Sequence, residues 1–390
     1  VTAAGTPIAT PYRAIFCDLL TDRTIDVLPL TQVSFDDYIG KPGSLDGTVP
    51  LPDSALAARA RRMQEGRTAV YVERDGELWW GGIIWTRTLQ SDDQGVLTLG
   101  LQAATFDSYA GRRIIRPLPQ LGKKTLEFDN ADQFDIVRGL WDYMKQAPGG
   151  DVLVSYDTGE SGVLTSAVWN DGDETVVSDA IDQLAGTDTG FEYHVVVYRD
   201  PDTGQRVRRL QFGRVDPADA SPTAKVAKIR ADGADLLFDQ PGGILTYSLP
   251  YDGTRGGTTA RARGADISSD SSTESGPIIS GEVVATDLIT GGYPRVDLSS
   301  DHGTVTDPNL LGPLATAELA VARGSVMIPD ITVRLDDLVP PEMLGRTARV
   351  RIRDAWFAEG LDARYRIIGV KVTPPERGTP ETAELFLEAL

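Results

Sequence analysis

The sequence of 390 residues contains one cysteine, Cys17. A disulfide within the chain is therefore impossible, and a zinc site built on several thiolates is excluded. Cys17 reads instead as a small buried apolar side chain near a strand. Histidine is nearly as scarce, with only His194 and His302. His194 lies in an apolar strand and His302 in a polar turn, so no HExxH zinc helix can form, and both read as structural. Long apolar runs are absent as well. Nothing approaches the ~20 residues of a membrane-spanning helix, and residues 1–11 lack the basic-then-apolar order of a secretory leader. The expectation is a soluble chain with no targeting signal and no stable membrane insertion. Positive charge is in deficit, with 38 Lys plus Arg against 57 Asp plus Glu and a formal net charge of -19. Such a field repels phosphate and anionic head groups, which disfavours nucleic-acid binding. An acidic wall would still let DNA slide past without sticking.

What is present is ordinary globular material with many turns. Apolar residues make up 41% and charged residues 24%, and 40 glycines with 24 prolines favour short elements over long helices. The length suits two or three domains at roughly 150 residues each.

The strongest local pattern spans residues 68–109. The run 68–74 meets Asp75-Gly76 and continues as 77–85; an Asp-Gly pair between two such runs signals a hairpin, because both central turn positions need positive φ. A second turn at 92–95 leads to 96–103, where apolar residues alternate with period two, completing a three-stranded meander. Gly81-Gly82 in the middle strand marks a bulge or a close backbone approach. Trp79, Trp80 and Trp85 offer a candidate sugar-stacking platform, but beside Ile83 and Ile84 they read better as core or subunit-contact residues.

Helices are predicted over 131–146, capped by Asn130 or Asp129, and over 174–185, capped by Asp173. A third starts with Pro313 at its first position and runs over 314–323, and a weaker one covers 54–65. Strands are predicted at 191–199 and 206–214 as a hairpin, at 244–251 and 258–265 around a glycine-rich loop, and at 325–335, 346–353, 364–372 and 382–390. The segment 268–276 has almost nothing to bury and reads as an exposed loop. The ends are β and the middle is mixed.

Motifs for chemistry fail on inspection. Gly159-Glu160-Ser161-Gly162 is near a nucleophile elbow, but Val163 stands where the second glycine of GxSxG belongs. Gly122-Lys123-Lys124-Thr125 has Lys124 where a phosphate loop needs Ser or Thr, and Pro117 where its first glycine belongs. Asn170-Asp171-Gly172-Asp173-Glu174 clusters carboxylates without calcium-loop spacing and reads as a turn before a helix cap. Gly253-Thr254-Arg255-Gly256-Gly257 sits between strands, away from any helix N-terminus, and reads as a hairpin tip. Paired carboxylates for glycoside hydrolysis are uninformative among 57 acidic residues. No catalytic, cofactor-binding or metal-ligating residue is assigned, and the chain is expected not to be an enzyme. Arg349, Arg351 and Arg353 alternate with Val350 and Ile352, placing three guanidinium groups on one strand face. That face is either solvated or paired with carboxylates of a neighbouring strand or subunit.

Three stretches carry a resemblance: residues 66–76 with Trp80-Gly81-Gly82-Ile83-Ile84, then Phe106-Asp107-Ser108-Tyr109-Ala110-Gly111-Arg112-Arg113, and the final 345–390. Together with the order of elements they resemble the tail-tip hub family of long-tailed phages, which is related to contractile-tail baseplate hubs and to the spike base of type VI secretion. The first stretch is similar to a hairpin of minor tail proteins from actinobacterial phages, and the Ala, Gly, Arg and Asp usage is similar to that of GC-rich genomes.

The resemblance implies an α+β, β-dominated fold with two β-barrel-like tube domains and a mixed α/β insert. The domains would be 1–115, a first hub domain; 116–240, the insert; and 241–390, a second hub domain with a short helix near 313–323. It implies a homo-oligomer, a trimer whose six barrels form a pseudo-sixfold ring. A distal tail protein and the tail tube would lie above, tip or receptor-binding proteins below, with a tape measure protein as a further partner and DNA only in passage. The location implied is the virion tail tip, after synthesis in the host cytoplasm. With no hydrolase region after residue 390, a lytic role is not expected. The alternatives are a hexameric distal tail protein and a wall-binding or wall-degrading tail protein, for which the Trp79 to Trp85 strand is the candidate surface.

Overall fold

The computed structural model describes residues 12–117, 125–187, 189–215, 226–267, 276–303, 305, 308–324, 326–327, 330–376 and 380–389. The fold is α+β with strands dominant, as expected.

The amino-terminal part comprises β1 (Arg13–Asp18), β2 (Thr24–Leu28), β3 (Thr31–Tyr38), β4 (Ser44–Leu51), helix α1 (Ser54–Ala60), β5 (Thr68–Arg74), β6 (Glu77–Ser91) and β7 (Leu97–Thr105). The antiparallel order is β2-β1-β5-β6-β7-β4-β3. The meander β5-β6-β7 forms as its turn residues dictate, with Asp75 at φ 55° and Gly76 at φ 89°. Helix α1 stops at Ala60, short of the predicted 65, because the chain tightens there: Met63 N–H bonds to Ala60 O and its side chain enters the core.

A 3-10 turn over Phe106–Arg112 leads into the insert: β8 (Thr125–Asp132), α2 (Gln133–Gln146), β9 (Val154–Tyr156), β10 (Leu164–Asn170), α3 (Val177–Ala185), β11 (Tyr193–Arg199) and β12 (Arg206–Phe212). The predicted β11-β12 hairpin is present, and β9 adds to β12 in parallel. The apolar face of α2 is buried as its periodicity requires, through Phe134, Val137, Leu140, Trp141 and Met144. Its cap is Asp132, not Asp129 or Asn130, because β8 runs on through those residues. Helix α3 begins at Val177, without a side-chain cap. Asp173 turns back to Asn170, and Glu174 takes a left-handed φ of 50°, so neither enters the helix.

The remainder comprises β13 (Leu236–Gln240), β14 (Ile244–Ser248), β15 (Tyr251–Asp252), β16 (Thr259–Ile267), β17 (Gly276–Ile279), β18 (Val283–Val284), α4 (Thr286–Thr290), β19 (Asp297–Asp301), α5 (Pro308–Val321) and β20 (Val326–Met327). It ends with β21 (Asp330–Arg334), β22 (Thr347–Ile352), β23 (Leu361–Thr373) and β24 (Thr382–Ala389). The segment from β15 to β20 packs around its own small core, in which Leu311, Ala315 and Leu319 of α5 meet Ala260 and Ala262. Two expectations are corrected here. Pro313 lies inside α5, not at its start, since Pro308 already opens the helix and Pro313 faces solvent. Strands β14 and β16 form no hairpin, because β14 pairs with β21 while β16 belongs to the small unit.

The ladder of the carboxyl-terminal strands runs β13-β22-β23-β24-β21-β14. Strand β23 also pairs with β3, fusing both ladders into one 13-stranded sheet. A single apolar cluster, from Phe16, Val49 and Trp80 to Val350, Ile367 and Leu385, lies inside both halves. Each ladder ends on two strands that are neighbours in sequence, β2 with β3 and β13 with β14. Among the described residues neither ladder closes by hydrogen bonds. Of the described helices, none is long and apolar enough to cross a membrane.

Candidate functional site

Among the described residues, the basic side chains buried deepest, Arg208, Arg366 and His194, lie where the insert meets the sheet. Strand β12 alternates so that Arg208 shares the inward face with Leu210 and Phe212. Arg208 is 2% exposed, and each of its three guanidinium nitrogens donates. It donates to the Tyr71 hydroxyl at 2.7 Å, to Leu19 O at 2.9 Å, to Val152 O at 2.6 Å and to Asp22 Oδ1 at 2.9 Å, and lies 4.1 Å over the Phe106 ring. Arg206 adds a second bond to Asp22, at 2.8 Å. Nearby, β11 crosses β6 at Gly81, where a Cβ would come within 2.7 Å of the Tyr71 ring and 3.1 Å of Val197. Gly82 is tighter still, with Ala104 O at 2.2 Å from that position. The expected close backbone approach at Gly81-Gly82 is therefore what these glycines serve.

A second contact joins His194 of β11 to Asp37 of β3, Nε2 to Oδ1 at 3.0 Å. Burial alone would lower the imidazole pKa, but the charge and hydrogen bond of Asp37, with the charge of Asp107, raise it overall. Asp107 accepts from Thr105 Oγ1 at 2.5 Å and from Ser108 N–H at 3.1 Å, and burial pushes its carboxyl up to about 6. Thr105 in turn accepts from Gly43 N–H at 2.8 Å. Among the described residues His194 bonds a carboxylate and no hydroxyl or thiol, an arrangement that clamps β11 to β3. A cleft of about 370 Å³ opens beside it, lined by Lys41, Trp85, Asp107, Arg112 and Trp141 among others.

The third contact ties the insert to the carboxyl-terminal half. Arg366 of β23, 3% exposed, donates to both oxygens of Glu192, to Ile229 O at 2.9 Å and to Glu388 of β24 at 2.6 Å. Three buried charge clusters thus hold three parts of the chain in one arrangement.

The residues singled out from the sequence mostly take structural places. Trp79 and Trp80 are buried, Trp80 donating to Asp36 O at 2.9 Å, and half-buried Trp85 donates to Ser108 Oγ at 3.0 Å beneath Arg112. No stacking platform exists on that strand. Cys17 is fully buried, and burial pushes its thiol pKa up. His302 bonds Ser300 at 3.0 Å in the small unit, far along the chain from His194. Ser161 and Gly162 wrap the Asp132 carboxylate with bonds of 2.8 to 2.9 Å, so the Gly-Glu-Ser-Gly turn completes a helix cap. Within 170–174 the Asp173 carboxylate binds Asn170 and Glu174 pairs with Arg116. Residues 253–257 link β15 to β16 and are not a hairpin tip. Arg349 and Arg351 share Asp362 of β23, the neighbouring strand, at 2.6 and 3.4 Å. The glycine-lysine sequence at 122–124, residues 1–11 and most of the serine-rich segment, 268–275, lie outside the described residues. Among the described residues no three His, Cys, Asp or Glu side chains come together to hold a metal.

The sequence reading missed Arg208, Arg366, Asp37 and Asp107. Arg208 alone was legible, because period-two alternation puts it on the face of Leu210 and Phe212. It also passed over Trp356, which stands 76% exposed at the tip of the β22-β23 hairpin.

No family model matches the sequence, and no curated protein matches it. Solved structures do. The tail protein from Neisseria meningitidis MC58 is similar with a TM-score of 0.59 and 16% identity, over 97% of this chain and 96% of that one. The 43 kDa tail protein of prophage MuSo2 from Shewanella oneidensis has a TM-score of 0.58 and 13% identity, over 97% and 98%. A prophage tail protein from Listeria monocytogenes EGD-e has a TM-score of 0.51 and 12% identity, over 96% and 94%. Nearly end to end, this chain carries the fold of tail proteins, as the resemblance implied.

Proposed function

We propose that the chain is a structural subunit of a phage tail tip, a hub that forms a ring and adapts the symmetry of the tail tube to that of the tip. One observation carries this reading: a single chain contains two ladders fused where β3, an end strand of the first, pairs with β23 of the second. A trimer of such chains would present six similar units to a sixfold tube above and threefold order below. Similarity to tail proteins along almost the full length of both chains supports it.

On this reading the protein works without chemistry. Its buried ions fix the angle between insert and ring, and the insert decorates the outside. The neighbours would be a distal tail protein and the tail tube above, tip or receptor-binding proteins below, and the tape measure protein, with DNA passing an acidic wall. Its place is then the virion tail tip. The test is the mass and image of the purified protein and of tails that carry it. A threefold ring at the tail tip is expected; a monomer absent from virions would overturn the proposal.

A further inference from the structure

The exposed Trp356 is held, not loose. Asp354 Oδ1 accepts from the backbone N–H groups of Trp356 and Phe357, both at 2.9 Å, and its other oxygen accepts from the Tyr247 hydroxyl. Phe357 packs against the main core, and Gly360 N–H closes the turn on Phe357 O at 3.0 Å. A large aromatic presented on a rigid loop has little ordering entropy left to lose, which is how interface anchors are built. Arg353 and Glu359, exposed on either side, make no ion pair with the described residues.

The amino-terminal half carries a feature of matching character. Beyond β5, the second half of β6 runs out as an arm with β7, and Leu89 is 65% exposed on it. Between this arm and α1 lies an apolar groove of about 270 Å³, floored by Leu51, Ala57, Ala60, Leu89, Leu97 and Leu99. Its rim carries Arg61, exposed and without an ion pair among the described residues, and Glu65, which pairs with Arg87 at 2.5 Å.

We propose that Trp356 of one copy of this chain seats in the Leu51 to Leu99 groove of a second copy, with Arg353 facing Glu65 and Glu359 facing Arg61. The charges are complementary in sign, and in shape a knob meets a groove and not another knob. The contact is therefore head to tail, the type that closes a ring when the rotation permits. It joins the carboxyl-terminal half of one subunit to the amino-terminal half of the next, as β23 and β3 join them within a subunit. This deepens the ring reading and rests on it.

The test is light-scattering mass of the full chain as wild type, Trp356→Ala, Leu89→Arg, and an equal mixture of the two variants. Both substituted side chains are exposed, so the isolated variants should unfold at the same midpoint as wild type diluted below its dissociation constant. Wild type is expected to be an oligomer and each variant a monomer, with the dissociation constant raised roughly thirtyfold or more. The mixture should form dimers and stop there, since only one sound knob and one sound groove remain. An oligomeric wild type whose Trp356→Ala variant keeps its mass would overturn this surface while leaving the ring standing. Monomeric variants that fail to dimerise when mixed would overturn the head-to-tail pairing. A monomeric wild type at tens of micromolar would overturn both readings.

Discussion

Asp22 and Arg208 are 186 positions apart in the chain and 2.9 Å apart in space, joining the first β-hairpin to the last strand of the insert. The Arg208 side chain is 2% exposed and that of Asp22 20%, so this pair is screened far less than a surface pair. Removing one partner would leave the other charge buried and uncompensated. Arg208→Ala is expected to cost about 2–4 kcal/mol in urea unfolding. Asp22→Asn should cost less, because asparagine tolerates the left-handed φ of 52° at this position and still accepts a hydrogen bond. A loss under about 1 kcal/mol for Arg208→Ala would show that the clamp does not hold the insert.

The His194 and Asp107 cluster gives a pH dependence of definite sign. Both groups hold their proton more tightly when folded, Asp107 up to about 6 and His194 above its ordinary value. Each therefore contributes stability that is complete below its unfolded pKa, about 3.9 for Asp and 6.5 for His, and that fades as pH rises through the folded value. For Asp107 the window runs from about pH 4 to 6. Asp107→Asn keeps the acceptor for Thr105 and Ser108 but cannot ionise. Relative to wild type it should gain roughly 1–3 kcal/mol between pH 4 and pH 7.5, read as urea midpoints. Parallel pH profiles for the two proteins would rule the mechanism out.

Much of the fold was legible because the signals are local. Asp75-Gly76 fixes its own turn through positive φ at both residues, and the face of α2 follows from 3.6-residue spacing. What stayed hidden depends on contacts distant in sequence. Helix α3 starts late because Thr175 and Val177 bond the backbone of Ile115 and Arg113, and β14 misses its predicted hairpin because its partner, β21, lies beyond the whole small unit. The buried charges were hidden for the same reason. Asp37 and Asp107 look like any other carboxylate of an acidic chain until β11 brings His194 beside them. Arg366 sits between Tyr365 and Ile367 in a strand buried on both faces, where alternation no longer marks which side is inward.

Asp132 is a cap whose carboxylate serves two segments. It accepts from Phe134 N–H at the start of α2 and from Ser161 and Gly162 in the following turn. Burial alone would raise its pKa, yet these bonds outweigh it and the pKa falls below the ordinary value. A lowered carboxyl contributes stability that is present above about pH 3.9 and lost as pH falls through the folded value. Asp132→Ala should cost about 1–2 kcal/mol at pH 7, and Asp132→Asn less. The difference between Asp132→Asn and wild type should shrink as pH drops from 5 to 2.5, measured by circular dichroism at 222 nm during urea titration. A difference that holds constant over that range would assign the bonds no charge-dependent share.

The seam between the two halves rests on a pair that tolerates no extra atom. Gly369 of β23 stands opposite Tyr38 of β3, whose ring covers it while also packing 5.2 Å from Phe386. A Cβ at Gly369 would lie 2.3 Å from Tyr38 Cδ1 and 3.2 Å from Phe386 Cδ2. The ring must leave its place for alanine to fit, and Phe386 blocks one way out. Gly369→Ala is expected to cost roughly 1–3 kcal/mol by overpacking. Tyr38→Ala alone loses the aromatic contact, but in its presence Gly369→Ala should cost much less, giving a coupling of about 1 kcal/mol or more in a double-mutant cycle. The two substitutions adding independently would mean that β3 and β23 can separate slightly without loss. The fused sheet would then be too compliant to hold two ladders at the fixed angle that a ring subunit requires.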